Sequence, residues 1–265
     1  MGVVKYSTLY EAVYEYEDVV TLNDNVLRVS PYDGDNQRVL EEGLNTTPKG
    51  YVDKFRDRFG NIIYHVKVME PHTSFTITSK GVVEVDVREF EDCKLPCTED
   101  DAFTSSSSLI DVEFFRGVAK EVLRSSETLD QLVRRTVELV RERVKYKEGV
   151  TNVWTKAHES FTMGLGVCQD IAQITIGILR SAGVPARYVM GLVNDNPRIT
   201  HAWVEVKARN GWVPIDPTRH RFYDLAYVKF AVGRDYKDVA PVVGTFVSRG
   251  RGWLSKLKVE VKRVD

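Results

Sequence analysis

The chain has 265 residues, 43% of them hydrophobic and 28% charged, with a formal net charge of −1. That balance belongs to a soluble globular protein with a sizeable core, and it gives no bulk attraction to nucleic acid or to an anionic membrane. No apolar run approaches the roughly 18 residues of a transmembrane helix, and Met1–Tyr6 lacks the basic start and apolar run of a signal peptide, so a cytoplasmic location is expected.

The first part, residues 1–92, reads as a β-rich N-terminal domain. Tyr6, Thr8, Tyr10, Ala12, Tyr14 and Tyr16 alternate with Leu9, Val13 and charged residues, the period-2 pattern of a strand. Val26–Pro31 is a short strand ended by proline. Phe59-Gly60-Asn61 is a turn and Ile62–Met69 the strand after it. Phe75–Thr78 and Val82–Val87 are two more strands, separated by Ser79-Lys80-Gly81. Short strands at this spacing predict a small sandwich. His65 and His72 stand singly and are expected to be hydrogen-bonded surface residues.

Residues 93–112 change character, with Pro96, the acidic cluster Glu99-Asp100-Asp101 and the run Ser105–Ser108. This is linker composition, and it ends the first domain. Three cysteines make an odd count, which is no disulfide framework. Cys93 and Cys97 lie in the linker. They could pair or do nothing, and two thiols without further ligands are a weak metal signal, so no role is expected for them and no metal or cofactor is called for.

Residues 113–265 are the second, α+β domain. Helices are predicted over Phe114–Leu123 and, opening at Ser126-Glu127-Thr128, along the stripe Leu129, Leu132, Val133, Val137, Val140 and Val144. Residues 150–163 are ambiguous, with a short helix possible at Ala157-His158-Glu159. The glycine-rich stretch Gly164–Val167 leads into Cys168. The spacing of Ile171, Ile174, Ile178 and Leu179 then predicts a helix with one buried face, stopped by Gly183 and Pro185. Cys168 therefore sits in a first helical turn, where free N–H groups and the positive end of the helix dipole favour a thiolate. By itself it reads equally well as a small buried residue. Strands are predicted over Arg187–Val193, His201–Lys207 and Trp212–Asp216, and in the tail over Val242–Val247 and Leu257–Val264.

His201, Trp203 and Glu205 share one face of their strand. Ala208–Gly211 is a turn signal. If Lys207 pairs with Trp212, then Trp203 faces Asp216, and His201 lies diagonally from Asp216 within side-chain reach. A shift of one residue would send the two to opposite faces. The chain thus offers a helix-tip thiol, a histidine 33 residues later and an aspartate 15 beyond it. This is the order of nucleophile, base and orienter. A lone strand histidine or an aspartate before proline is ordinarily structural; the triple in these settings favours chemistry.

The motifs Gly-Val-Cys-Gln-Asp-Ile-Ala (166–172), Leu-Arg-Ser-Ala-Gly-Val-Pro-Ala-Arg-Tyr-Val (179–189), His-Ala-Trp-Val-Glu-Val (201–206) and Gly-Trp-Val-Pro-Ile-Asp-Pro-Thr (211–218) resemble the transglutaminase-like superfamily, in that family's order. Gly233–Pro241 resembles the stretch downstream of the domain in bacterial and archaeal members. Leu27–Pro31 and Asp57–Asn61 resemble the β-rich region that precedes it there. The resemblance implies a papain-like core, a cysteine-bearing helix packed on an antiparallel sheet, with Cys168, His201 and Asp216 as the catalytic cysteine, histidine and aspartate. It implies a thioester intermediate, with hydrolysis of a peptide, protein or other amide as the leading reaction. Transfer to an amine and a non-catalytic binding module are the alternatives. No Asp-x-Asp-x-Asp-Gly calcium loop is present, which lowers the cross-linking option.

Around the site, Asp170 is expected to be structural and Arg187 to form a salt bridge. His220, in a loop, is a rival base. Trp203 is expected either to wall the substrate site or to belong to the core. The backbone N–H of Cys168 is one oxyanion donor; Trp154, Thr162 and Gln169 are candidates for the second. Specificity is expected in loops such as Asn194–Pro197 and on the face of the N-terminal domain.

Overall fold

The computed structural model describes residues 2–194 and 199–264. Of the expected specificity loop, Asp195, Asn196 and Pro197 lie outside the described residues. The first part of the chain supplies β1 (Val3–Val20), β2 (Leu22–Leu27), β3 (Gln37–Thr47), β4 (Tyr51–Arg56), β5 (Ile62–Val68) and β6 (His72–Asp86). Then follow α1 (Arg116–Leu123), α2 (Leu129–Arg143), β7 (Lys145–Tyr146), α3 (Ala157–Met163), β8 (Leu165–Gly166) and α4 (Cys168–Ser181). The rest is β9 (Ala186–Leu192), β10 (His201–Ala208), β11 (Gly211–Asp216), β12 (Arg221–Phe222), β13 (Val228–Gly233), α5 (Tyr236–Val239), β14 (Val242–Val247) and β15 (Gly252–Arg263).

Two four-stranded sheets, ordered β15-β1-β6-β3 and β14-β2-β5-β4, form the β-rich part. They bury the expected alternate face of β1, Tyr6, Tyr10 and Ala12, together with Phe75 and Ile77 of β6 and Leu27, Val66 and Val68 of the other sheet. The period-2 pattern therefore gives one apolar face per strand and a shared core between sheets. The tail, expected to go with the second half, returns to the first. β14 pairs with β2, and β15 pairs along β1 from Tyr6↔Arg263 to Tyr16↔Gly252.

Ser79-Lys80-Gly81 does not break a strand as its composition suggests. β6 runs through it, pairing Ser79 with Tyr10 and Gly81 with Thr8. The Ser79 hydroxyl lies 3.2 Å from that of Ser30. A Cβ on Gly81 would approach Pro31 to 2.9 Å, so this glycine permits a close crossing and not a turn. The linker contains one more departure: Cys93 and Cys97, expected to have no role, form a disulfide.

The second half is a five-stranded antiparallel sheet, β12-β11-β10-β9-β13, covered by helices. α4 was expected to bury one face. It is buried over every residue from Asp170 to Arg180, because α1, α2 and α3 pack on it from one side and β9 and β10 from the other. Gly177 makes room for Phe115, the residue just before α1: a Cβ there would meet its ring at 2.5 Å. The helix that begins with Cys168 is thus the centre of the α+β core.

Candidate active site

The thiol is placed by a short run of backbone constraints. α3 ends at Gly164 in the left-handed conformation (φ 70°), which only glycine adopts cheaply. The next two residues form β8, held parallel to β7 by Lys145 N–H to Gly164 C=O (2.8 Å) and Lys147 N–H to Gly166 C=O (2.9 Å). Val167 is extended and caps α4. Asp170 reaches back to accept from the Val167 N–H at 2.8 Å, and the same oxygen accepts from the Thr151 hydroxyl at 2.7 Å. Its role is structural, as expected: it ties the 151 loop to the helix start. Burial pushes its carboxyl upward, partly offset by these hydrogen bonds. Cys168 is then the first residue of α4, partly exposed, at the end where the N–H groups lack intrahelical partners.

The second component is the β10–β11 hairpin. Its register is Lys207↔Trp212 and Val204↔Ile215, which sets Trp203 and Asp216 at the next step and His201 on the diagonal. His201 Nε2 lies 2.8 Å from Asp216 Oδ2. The carboxylate is a fixed acceptor, so Nε2 carries the proton that it donates, and the other nitrogen, Nδ1, is left for the sulfur. Cys168 and His201 line the same cavity, and the thiol lies near enough to the ring to act on its pKa. The structure thus brings Cys168, His201 and Asp216 together in the order sulfur, imidazole, carboxylate.

Asp216 has no solvent exposure. Besides His201 it accepts from Tyr227 Oη at 3.1 Å and from the Arg219 backbone N–H at 3.1 Å, and the Arg219 guanidinium stands 3.8 Å away. Burial by itself would lower the His201 pKa. The hydrogen bonds and charges of Asp216 and Cys168 outweigh it and raise the value from 6.5 to about 9. A cavity of about 180 Å³ opens over the thiol and imidazole, with Tyr146, Ile199, Thr218 and Arg219 among its walls.

Other expectations are sorted by this geometry. Trp203 is 1% exposed and lies in the core behind the imidazole, roughly parallel to it at 6.3 Å, not in the cavity wall. It stands there because Gly191, the β9 partner of His201, has no side chain: a Cβ would approach the indole to 2.6 Å. His220 is exposed and away from the cavity. Arg187 forms buried salt bridges with Glu205 and Asp35. None of the three suggested second oxyanion donors lines the cavity. Thr162 donates to His158 C=O within α3, and Gln169 Nε2 to Val153 C=O. The residues that sequence reasoning missed are Tyr146, Thr218, Arg219 and Tyr227. Among the described residues, no group of three or more His, Cys, Asp or Glu could hold a metal ion.

Comparison with known proteins agrees with this architecture. Residues 116–217 match the transglutaminase-like superfamily, and residues 6–84 match the bacterial transglutaminase-like N-terminal region. An uncharacterised Mycobacterium leprae protein is 28% identical over 95% of this chain and 96% of its own length. A Mycobacterium tuberculosis counterpart is 27% identical over 98% and 93%. Among solved structures, a candidate cysteine protease from Cytophaga hutchinsonii superposes over 100% of this chain and 92% of its own, with a TM-score of 0.85 at 23% identity. That likeness shows the fold.

Proposed function

We propose, for a chain that belongs to the transglutaminase-like superfamily, that it is a cysteine hydrolase acting on the amide bond of a peptide, protein or similar substrate. The observation that carries this reading is the imidazole of His201 held between Asp216 and Cys168 at the floor of a cavity, with the sulfur at a helix N-terminus. The His201 pKa of about 9 keeps its ring protonated near neutral pH, so it has a proton to give to a leaving group.

In the first step the Cys168 sulfur bonds to the amide carbonyl carbon, and the oxygen takes the negative charge. The Cys168 N–H, free at the helix tip, is one donor to that oxygen. The C–N bond breaks as His201 gives its proton to the leaving nitrogen, which departs as an amine. The product is a thioester on Cys168. His201, now neutral, takes a proton from water, whose oxygen bonds to the acyl carbon. The C–S bond breaks, the acid leaves, and the thiolate–imidazolium pair is restored. Asp216 holds the ring through both steps. The same residues would serve transfer to an amine, and the Cytophaga hutchinsonii neighbour's description as a candidate protease supports water as the acceptor. The Cys93–Cys97 disulfide favours an oxidising compartment over the cytoplasm that the sequence suggests.

A panel of peptide and amide substrates, run with a fluorescent primary amine present, tests the reading. The wild type is expected to release free acid, and Cys168→Ala to lose about a thousandfold or more of the turnover. Incorporation of the amine in preference to acid would assign a transferase; equal turnover by the variant would remove the nucleophile. In the unreduced protein, iodoacetamide at pH 7 should modify Cys168 alone.

A further inference from the structure

Asp216 is a fully buried carboxylate, so everything that fixes its position comes from the protein. Two of its donors belong to its own hairpin and the turn after it: His201 Nε2 at 2.8 Å and the Arg219 N–H at 3.1 Å. The third is on another part of the chain. Tyr227 lies just before β13, on the far side of the sheet order from β11, and its hydroxyl donates to Asp216 Oδ2 at 3.1 Å. It thus shares one carboxylate oxygen with His201. Its ring is buried and stands edge-on to the imidazole at 6.3 Å and 78°. Trp203 stands roughly parallel to the imidazole at 25°, and Tyr227 is edge-on to Trp203 at 5.3 Å. The imidazole is therefore boxed by one ring face and one ring edge, and the carboxylate that orients it is pinned by the same tyrosine.

We propose that Tyr227 is a positioning residue of this site, holding the Asp216–His201 pair so that the second ring nitrogen of His201 meets the Cys168 sulfur. The phenol remains a donor at all working pH values. Burial first, then the Asp216 charge, push its pKa up to about 12. By donating to Oδ2 it also draws off part of the charge that Asp216 presents to His201. The other charged or titratable groups facing the imidazole are Cys168 from α4, Arg219 from the turn after β11 and Tyr146 across the cavity.

The proposal rests on Cys168 as the nucleophile, but its test reads the thiol and the imidazole directly and needs no substrate. Tyr227→Phe removes one oxygen and keeps the ring. The rate of Cys168 alkylation by iodoacetamide is measured from pH 5 to pH 10, and the imidazole N–H of His201 is followed by proton NMR. Alkylation at pH 7 is expected to fall about fivefold, the loss of one hydrogen bond's net effect. The alkaline inflection is expected to move upward by about half a pH unit, because Asp216, relieved of one donor, stabilises the imidazolium more. The N–H resonance should shift with it. A variant with the wild-type alkylation profile and an unmoved N–H signal overturns the proposal, even if its melting temperature drops. If the wild type cleaves no amide yet the profile and resonance respond as stated, the hydrolase reading fails and the positioning role stands.

Discussion

His201 is where the chemistry and the stability of this protein meet. Burial opposes its charge, while Asp216 and Cys168 overcome that opposition and carry its pKa from 6.5 to about 9. Since the folded value lies above the unfolded one, the protonated ring stabilises the folded state. That contribution is complete below about pH 6.5 and is lost as pH rises through about 9. Its size is about 3 kcal/mol. The melting temperature of the wild type should therefore fall more between pH 6.5 and 9.5 than that of Asp216→Asn, which lacks the charge partner; parallel curves would contradict it. At this scale the sequence was informative. Cys168 could be placed at a helix start from the glycines before it and the isoleucines after it. His201 and Asp216 could be placed on one face from a two-residue period and a turn. Tyr227 could not, since a hydrogen bond between residues of non-adjacent strands leaves no periodic mark on the chain. Trp203 could not be sorted either, because its burial depends on Gly191 in the neighbouring strand.

At the scale of elements, the site depends on how closely two helices approach at a turn. A Cβ on Gly166 would stand 2.6 Å from both Asp170 Cβ and Ser160 Oγ. The Ser160 hydroxyl already donates to Leu165 C=O at 2.6 Å, so it has little room to yield. Gly166→Ala is expected to cost about 1–3 kcal/mol in chemical denaturation and to displace the thiol, lowering alkylation of Cys168 in the folded protein. An unchanged denaturation midpoint would show that the helices can separate there without loss. The β10–β11 register was legible from the turn at Ala208–Gly211, and not from burial, because β10 is buried on both faces. β4 was not, because it is exposed along its whole length and shows no alternation. β6 was read as two strands because Ser-Lys-Gly carries turn chemistry, whereas the glycine there makes room for Pro31.

On the scale of the whole molecule, the two halves are joined by buried charge as well as by apolar core. Arg187 of β9 and Lys229 of β13 meet Glu205 of β10 and Asp35, which comes from the turn before β3. Lys229 Nζ also donates to Asn36 Oδ1 at 2.7 Å, and the Gln37 side chain bonds to Lys229 through both its oxygen and its nitrogen. Asp35 has φ 55°, a conformation that asparagine also tolerates, so Asp35→Asn removes the charge and keeps the turn. It leaves two buried cations facing one carboxylate. The loss is expected to be about 3 kcal/mol, read from the urea midpoint; a change within about 0.5 kcal/mol would mean that solvent reaches the cluster and screens it. Glu205 and His201 lie on the same face of β10, so the sandwich bears on the strand that carries the imidazole.

The pairing of β15 with β1 has a consequence for how the protein is made. During translation β1 leaves the ribosome with one edge lacking its partner, and that partner follows only after the cysteine helix and the whole catalytic sheet have been synthesised. The sandwich can close only then, and until then the growing chain carries an open β1 edge from Tyr6 to Tyr16. Such an edge invites wrong pairing with other nascent chains, which gives this protein a reason to need chaperone cover early, before its chemistry exists.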